Sequence, residues 1–372
     1  MKQPLVTVLM PNHNGAKTIA ESIQSVLDQT MKDFELLIVE DASTDQSRQV
    51  IASFTDPRIR MMPFEQNEHI CIALNTGIRS AKGKYIARID SDDCWLPQKL
   101  EKQIAYMEAH PKCGASFTWV NVINEEGETL SASQSMFVEL FAAHNRPRAQ
   151  WIHDFFHNGS ALCHPSAVFP RSVALELGGY RNSLVQVQDY DLWIRIAKKY
   201  DIYVFEEPLM NYRHALHGGN VSEPNVPNTI RSHYETYNVI RHYFDGMTDE
   251  AFIDCFGQDF KIQGTTDHVG ILCEQALLLL EPLFWGHIGK LAGMDMLGEL
   301  LDNEETRLAL RQRYGVTQMN YYQLTASRAL QMEDDSFIIN QFSRRQLLRI
   351  VFKKTLHKHP LCLKIWNRFH KH

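Results

Sequence analysis

A chain of 372 residues that is 44% hydrophobic, 22% charged and 10% aromatic has the balance of a folded globular protein, which excludes a disordered chain, and its length favours two units or one large unit with an appendage. The formal charge of −6 is unevenly spread: residues 341–372 hold nine Lys or Arg and no Asp or Glu, which leaves 29 basic against 44 acidic residues, a net −15, for the remainder. Seven cysteines are scattered without a CxxC pair, and the longest apolar run, 271–285, is broken by Glu274 and Glu281. These features exclude a zinc ribbon and predict reduced thiols, a cytoplasmic location, no signal peptide and no membrane span.

In chain order, LVTVLM (5–10) predicts a strand, 17–29 a helix, ELLIVE (35–40) a strand and 46–53 a helix. RIRMM (58–62) then predicts a strand, 69–80 a helix and YIARI (85–89) a strand. Such alternation is the pattern of crossovers on a mainly parallel α/β sheet covered on both faces. Ser43 with Gln46 reads as a capping box, Gly83 as the close of the third helix and Pro97 as the start of the next. Residues 114–130 predict strand and turn, 166–172 strand into helix, 177–182 a turn, 189–200 a helix, and 202–214 a final pair of strands. Past the Gly-, Pro- and Asn-rich stretch at 218–228 the alternation gives way to helical periodicity, so a boundary is expected near 225, with units at 1–225 and 226–372.

Ligands of such sheets gather beyond the carboxyl ends of the strands. Three polar loops, PNHNG (11–15), EDASTD (40–45) and DSDD (90–93), stand there and should converge on one cleft. Asp90, Asp92 and Asp93 crowd three carboxylates into four positions behind a buried strand, and a hard divalent cation is the usual compensation. A calcium EF-hand is excluded because Cys94 and Trp95 stand where that loop needs an oxygen ligand and a glycine. Mg²⁺ or Mn²⁺ fits the carboxylates better.

VTVLMPNHNG, FELLIVEDASTD, NTGIRSAKGKYIARIDSDD and VQDYDLWIRI, in this order and spacing, strongly resemble the inverting family 2 glycosyltransferases of GT-A fold over roughly residues 4–215. The resemblance implies a metal-dependent transfer of sugar from a nucleotide diphosphate, UDP by family habit, to the hydroxyl of a glycan or lipid-linked acceptor in surface polysaccharide assembly. It implies that Pro11 and Asn14 lie along the nucleoside and that Glu40 and Asp41 stand for the family's Asp-Asp pair. Asn75 would pack on the nucleotide, and Leu74 replaces an arginine usual there. Asp90 would sit near the ribose or sugar, Asp92 would ligate the metal, and Asp189 would be the general base. His217 is the candidate beside the diphosphate and its metal, and His164 the candidate for the acceptor side.

Several residues carry a plainer reading. Asp191 and Trp193 read as structural, and Trp95 as either donor contact or core plug. His69, His110, His144 and His153 have no partner at metal-ligand spacing and read as surface or core. The basic amphipathic segment ending at Pro360 suits either an anionic membrane surface or the acidic body of the protein, and residues 229–372 are open to oligomerisation, acceptor binding or membrane docking. No nucleic-acid recognition motif is present. The competing functions are a nucleotidyltransferase, which would want a Gly-rich basic loop after the first strand, and a non-catalytic nucleotide-sugar-binding or membrane-associated scaffold.

Overall fold

The structure, a computed structural model, describes residues 3–214, 225–281 and 286–326. His217 and the basic segment from 341 onward lie outside the described residues, as does most of the stretch around the expected boundary near 225.

The amino-terminal half runs β1 (Val6–Asn12), α1 (Ile19–Leu27), β2 (Phe34–Glu40), α2 (Ser47–Ala52), β3 (Ile59–Pro63), α3 (His69–Ser80), β4 (Tyr85–Arg88), β5 (Cys94–Trp95) and α4 (Lys99–Ala109). There follow β6 (Cys113–Ile123), α5 (Phe137–Leu140), α6 (Arg148–Asn158), β7 (Val168–Pro170), α7 (Arg171–Glu176), α8 (Gln188–Ala197) and β8 (Asp201–Arg213). The rest is helical: α9 (Val226–Arg241), α10 (Asp249–Phe256), α11 (His268–Leu279), α12 (His287–Asp302), α13 (Glu304–Tyr314) and α14 (Gln318–Thr325).

All eight strands form one sheet in the order β3-β2-β1-β4-β7-β6-β8-β5. The first four are mutually parallel, β7 runs against both β4 and β6, and β5 runs against β8. The expected mainly parallel α/β sheet is therefore present, with two short reversed strands. The pair of strands expected at 202–214 is one 13-residue strand, β8. At Glu206 and Glu207 β8 stays paired with β6 by absorbing an irregularity as a register shift opposite Thr118 and Trp119.

Side chains alternate across the strands, so the two faces can be read off β1. Val6, Val8 and Met10 face a core completed by Ile19, Ile23 and Val26 of α1 and Leu100, Ile104 and Met107 of α4. Leu9 faces the other way, into a larger core with Leu74 and Ile78 of α3, Trp151 and Phe155 of α6 and Trp193 of α8. That second core runs without a break into the carboxyl-terminal helices, through Val239 and Ile240 of α9, Phe252 of α10 and Ile271 of α11. Each such fully buried side chain contributes about 1.5–3 kcal/mol. Gly83 follows α3 at the point of closest approach to β1: a methyl group there would stand 2.3 Å from the backbone nitrogen of Thr7.

Of the apolar run at 271–285, residues 271–279 lie in α11, and no helix among the described residues is long and apolar enough to cross a membrane. Its Glu274 is buried and accepts the backbone N–H groups of Lys261 and Ile262. The six described cysteines are free thiols.

Candidate active site

The three polar loops meet, as expected, at the carboxyl edge of β1, β2 and β4. Asn14, at a φ of 56°, turns the first loop so that its N–H donates to Ser43 Oγ (2.9 Å) and its Oδ1 accepts from Thr44 N–H (2.8 Å). A left-handed backbone is easier for asparagine than for most residues, which fits its place here. His13 Nδ1 lies 2.7 Å from the Asp41 carbonyl, and Ala16 N–H donates to Asp45 Oδ2. Thr18 Oγ1 donates to the Ser91 carbonyl at 2.9 Å, which fastens the first loop to the acidic one. The capping box of Ser43 and Gln46 does not form: Ser43 Oγ is taken by Asn14 and by Asn12 Nδ2 at 3.2 Å, and α2 begins at Ser47 without a side-chain cap.

Pro11 is buried within β1, in register with Val39. Asp41 is buried and accepts Glu68 N–H on Oδ1 at 2.7 Å. Glu40, placed by the sequence against the nucleoside, is fully buried and turns inward. One oxygen accepts Ser43 N–H at 2.7 Å and the other pairs with Arg48, so it shapes the loop that carries Asp41. Asn75, placed beside the nucleotide, is likewise spent on protein: Nδ2 donates to the Tyr180 carbonyl (2.7 Å) and Asn182 Oδ1 (2.8 Å), and Oδ1 accepts Tyr180 N–H (2.8 Å). Gly179, at a φ of 71°, lies so close to this amide that a Cβ would stand 2.3 Å from Asn75 Oδ1.

The three carboxylates of the acidic loop have different partners. Asp90 is held bidentately by Arg88, at 2.7 and 2.5 Å, and that guanidinium is almost wholly buried. Asp93 is buried and accepts Arg213 N–H on Oδ1 at 2.8 Å, whereas its Oδ2 is shut away from solvent without a hydrogen-bond partner among the described residues. Arg213 donates through Nε to the Asp92 carbonyl and through its fork to Glu21 and to the carbonyls of Asn124 and Glu125. Burial, then the neighbouring Asp90, pushes the Asp92 carboxyl up to about 6. Burial and the neighbouring acids raise Asp93 well above the ordinary carboxylate range. Arg88 pairs with one of the three acids, and Arg213, beside the other two, lowers Asp92 without offsetting burial and Asp90.

An oxygen of each of Asp90, Asp92 and Asp93 can be chosen such that all three lie within 4.8 Å of one another. An all-oxygen, carboxylate-rich group with a buried orphan oxygen fits a hard divalent cation, and Mg²⁺ or Mn²⁺ is the matching class.

Asp189 sits in the first turn of α8 and keeps some contact with solvent. The packing around it raises its pKa, with Arg88 pulling the other way and Asp90 adding to the rise. Asp191, two residues further along the helix, is buried between Arg195 (2.6 Å) and Arg181 (3.3 Å), and Arg195 also holds the Leu177 and Gly179 carbonyls. It is the structural carboxylate that its spacing implied. His164 is buried against the Tyr180 hydroxyl at 2.8 Å, and burial, then Arg88, lowers its pKa well below the usual imidazole value. Trp95 is core: it is buried and the Lys99 ammonium lies 4.2 Å from its ring centroid.

Two contributors have no counterpart in the sequence reading. Arg88 is one; it lies two residues before Asp90 on the strand, and that period-two spacing was the available signal. The other is Glu235 of α9, a buried carboxylate whose Oε2 accepts the backbone N–H groups of Val185 (2.9 Å), Gln186 (2.7 Å) and Val187 (3.3 Å). It clasps the loop that leads into α8 and hence into Asp189. No local signal marks it, since it lies 50 residues beyond Val185 in the chain.

A mixed sheet in this strand order, with acids at the carboxyl edge of its parallel half, is the architecture that the resemblance to GT-A glycosyltransferases implies. The family model for glycosyl transferase family 2 matches residues 7–177. The uncharacterized glycosyltransferase MJ1057 of Methanocaldococcus jannaschii is 34% identical over 218 residues, covering 57% of this chain and 72% of that protein. WfgD of Escherichia coli, a UDP-Glc:alpha-D-GlcNAc-diphosphoundecaprenol beta-1,3-glucosyltransferase, is 33% identical over 204 residues, 54% of this chain and 73% of its own. Among solved structures, S. aureus TarS 1-349 in complex with UDP-GlcNAc aligns with a TM-score of 0.54 at 15% identity, covering 91% of this chain and 93% of that one. The chain belongs to glycosyltransferase family 2 and is an enzyme that transfers sugar.

Proposed function

We propose that this enzyme transfers a sugar from a nucleotide diphosphate sugar, a UDP-sugar, to the hydroxyl of a glycan or lipid-linked acceptor, with a divalent metal and inversion at the anomeric carbon. The observation that carries the reading is the convergence of Asp90, Asp92 and Asp93, each offering an oxygen within 4.8 Å of the others, at the carboxyl edge of the parallel strands. WfgD, by its name a user of UDP-Glc and a diphosphoundecaprenol-linked acceptor, supports the choice of donor and of acceptor class.

In this reading the loops of Pro11, Asn14 and Asp41 line the nucleoside, with Asp41 accepting from the base. Glu40 and Asn75 act one step back, Glu40 by shaping the Asp41 loop and Asn75 by fixing the loop before α8. Asp92, with Asp90 and Asp93 behind it, holds Mg²⁺ or Mn²⁺. That ion, when bound, supplies positive charge to a diphosphate leaving group. Asp189 takes the proton from the acceptor hydroxyl as it attacks, and its raised pKa makes it a stronger base than an ordinary carboxylate. One carboxylate acting on the face opposite the leaving diphosphate gives a single displacement, which inverts the configuration, by analogy with inverting hydrolases. His217 is assigned to the diphosphate by the family resemblance alone.

The test is a thermal-shift screen of nucleotide sugars with and without Mn²⁺, since a ligand that binds only the native state raises its midpoint. UDP-sugars should stabilise the protein only with the metal, and Asp92→Ala should lose the effect. Stabilisation by UDP that ignores Mn²⁺ and survives Asp92→Ala would overturn the reading.

A further inference from the structure

A second cluster of ligating side chains lies on α6 and the short turn Gly257–Asp259 that follows α10. His153 and His157 stand four residues apart on α6, so they project from one helix face, and their rings are 4.3 Å apart between centroids. The sequence reading gave His153 no partner; His157, at i+4, is that partner, and the fold adds Asp259. His153 Nε2 lies 2.9 Å and His157 Nε2 3.8 Å from the same oxygen, Asp259 Oδ2. One ligand atom from each of the three fits within 4.8 Å of the others.

A histidine–aspartate hydrogen bond accounts for only half of this arrangement. His153 is within bonding distance of the carboxylate, whereas His157 is beyond it. Its Nε2 is also cut off from solvent and has no hydrogen-bond partner among the described residues. Phe156 and Phe256 wall the histidine rings, so a water bridge has little room. A cation held at about 2.0–2.2 Å by each donor needs those donors roughly 3.3 Å apart in a tetrahedron, and the separations of 2.9 and 3.8 Å bracket that value. Gln258 adds an amide 3.3 Å from His153 Nε2, near enough to present its carbonyl oxygen after a rotation.

We propose that His153, His157 and Asp259 form a binding site for a transition-metal ion of the zinc class, separate from the carboxylate loop. Imidazole nitrogens favour Zn²⁺, Co²⁺, Ni²⁺ and Cu²⁺ over the hard cations suited to an all-oxygen set. The site links α6, which packs on the sheet, to the turn after α10, so an ion there staples the helical region to the sheet. This inference does not depend on the donor or the mechanism proposed above.

The experiment uses untagged full-length protein carrying Asp92→Asn, which removes the acidic loop as a competing site. One equivalent of Co²⁺ should give the visible absorption of a four-coordinate ion, and one equivalent of Zn²⁺ should raise the thermal midpoint by roughly 3 °C, reversed by chelator. His157→Ala and, separately, Asp259→Asn should each lose both signals. Absence of the Co²⁺ absorption at one equivalent, or its persistence in either variant, would overturn the proposal. Should His157→Ala fail to fold, Asp259→Asn and the spectrum of the protein with the site intact still decide it.

Discussion

Asp92→Asn in the ligand-free protein should make the fold more stable while abolishing its response to Mn²⁺ and UDP. The ordinary carboxyl value is 3.8, and burial with Asp90 alongside moves Asp92 to about 6. Between those values the unfolded chain has released a proton that the folded chain retains. Stability therefore falls as pH rises through that window, and the cost is complete above about pH 6. At about 1.4 kcal/mol for each tenfold change in proton affinity, the full cost is about 3 kcal/mol. Asp90 and Asp93 share the repulsion, so one neutral substitution recovers about 1–2 kcal/mol of it. Equilibrium urea denaturation, followed by tryptophan fluorescence, should put the variant above wild type by that amount at about pH 7.5 and bring the two together near about pH 4. A variant less stable than wild type at neutral pH, or a gap that ignores pH, would refute the electrostatic account of the acidic loop.

Asp189→Asn should keep the metal-dependent stabilisation by donor and lose about 10²–10⁴-fold in turnover, measured by release of nucleoside diphosphate. Glu235→Gln removes the charge that gathers three N–H groups before α8; it should cost about 2–3 kcal/mol and lower kcat about tenfold with little change in KM for donor, a split that steady-state kinetics reads directly. Gly83→Ala drives a methyl group into the β1 backbone and should cost about 2–4 kcal/mol by denaturant midpoint. Lys99 is buried with its ammonium on Gln103 Oε1 and the Ser166 carbonyl, and burial pushes its pKa down to about 7. The unfolded chain therefore binds the extra proton above that pH, so wild-type stability should gain up to about 1.4 kcal/mol per pH unit from this group between about pH 7 and 9, a gain absent in Lys99→Met.

The sheet was legible because β1, β2 and β4 are continuous apolar runs ended by polar loops, and chain order alone puts such loops on one edge. The acidic triplet was legible for the same reason. The hydrogen bond that holds Asp93 was not, because its N–H comes from Arg213 at the far end of β8, 120 residues away. Glu40 shows a subtler failure. Its chemistry suited a ligand contact, but Arg48, near the start of α2, draws the longer side chain inward. Ser43 likewise carried a capping signal that a stronger local demand, the left-handed turn at Asn14, used up. The histidine pair on α6 was missed although its spacing of four stands in the sequence, and Asp259, about a hundred residues on, required the fold.

The clasp formed by Glu235 has a consequence for how this enzyme can be cut and recombined. A truncation ending at the loop after β8 would keep every acidic residue proposed to meet the donor, yet would release the segment ahead of Asp189 from its anchor. Chimeras that exchange the carboxyl-terminal helices therefore need their junction beyond α9, so that the graft inherits the anchor together with the sheet. The first helix of the carboxyl-terminal region thus anchors the loop that leads to the proposed base, and a graft that replaces it must supply an equivalent acid.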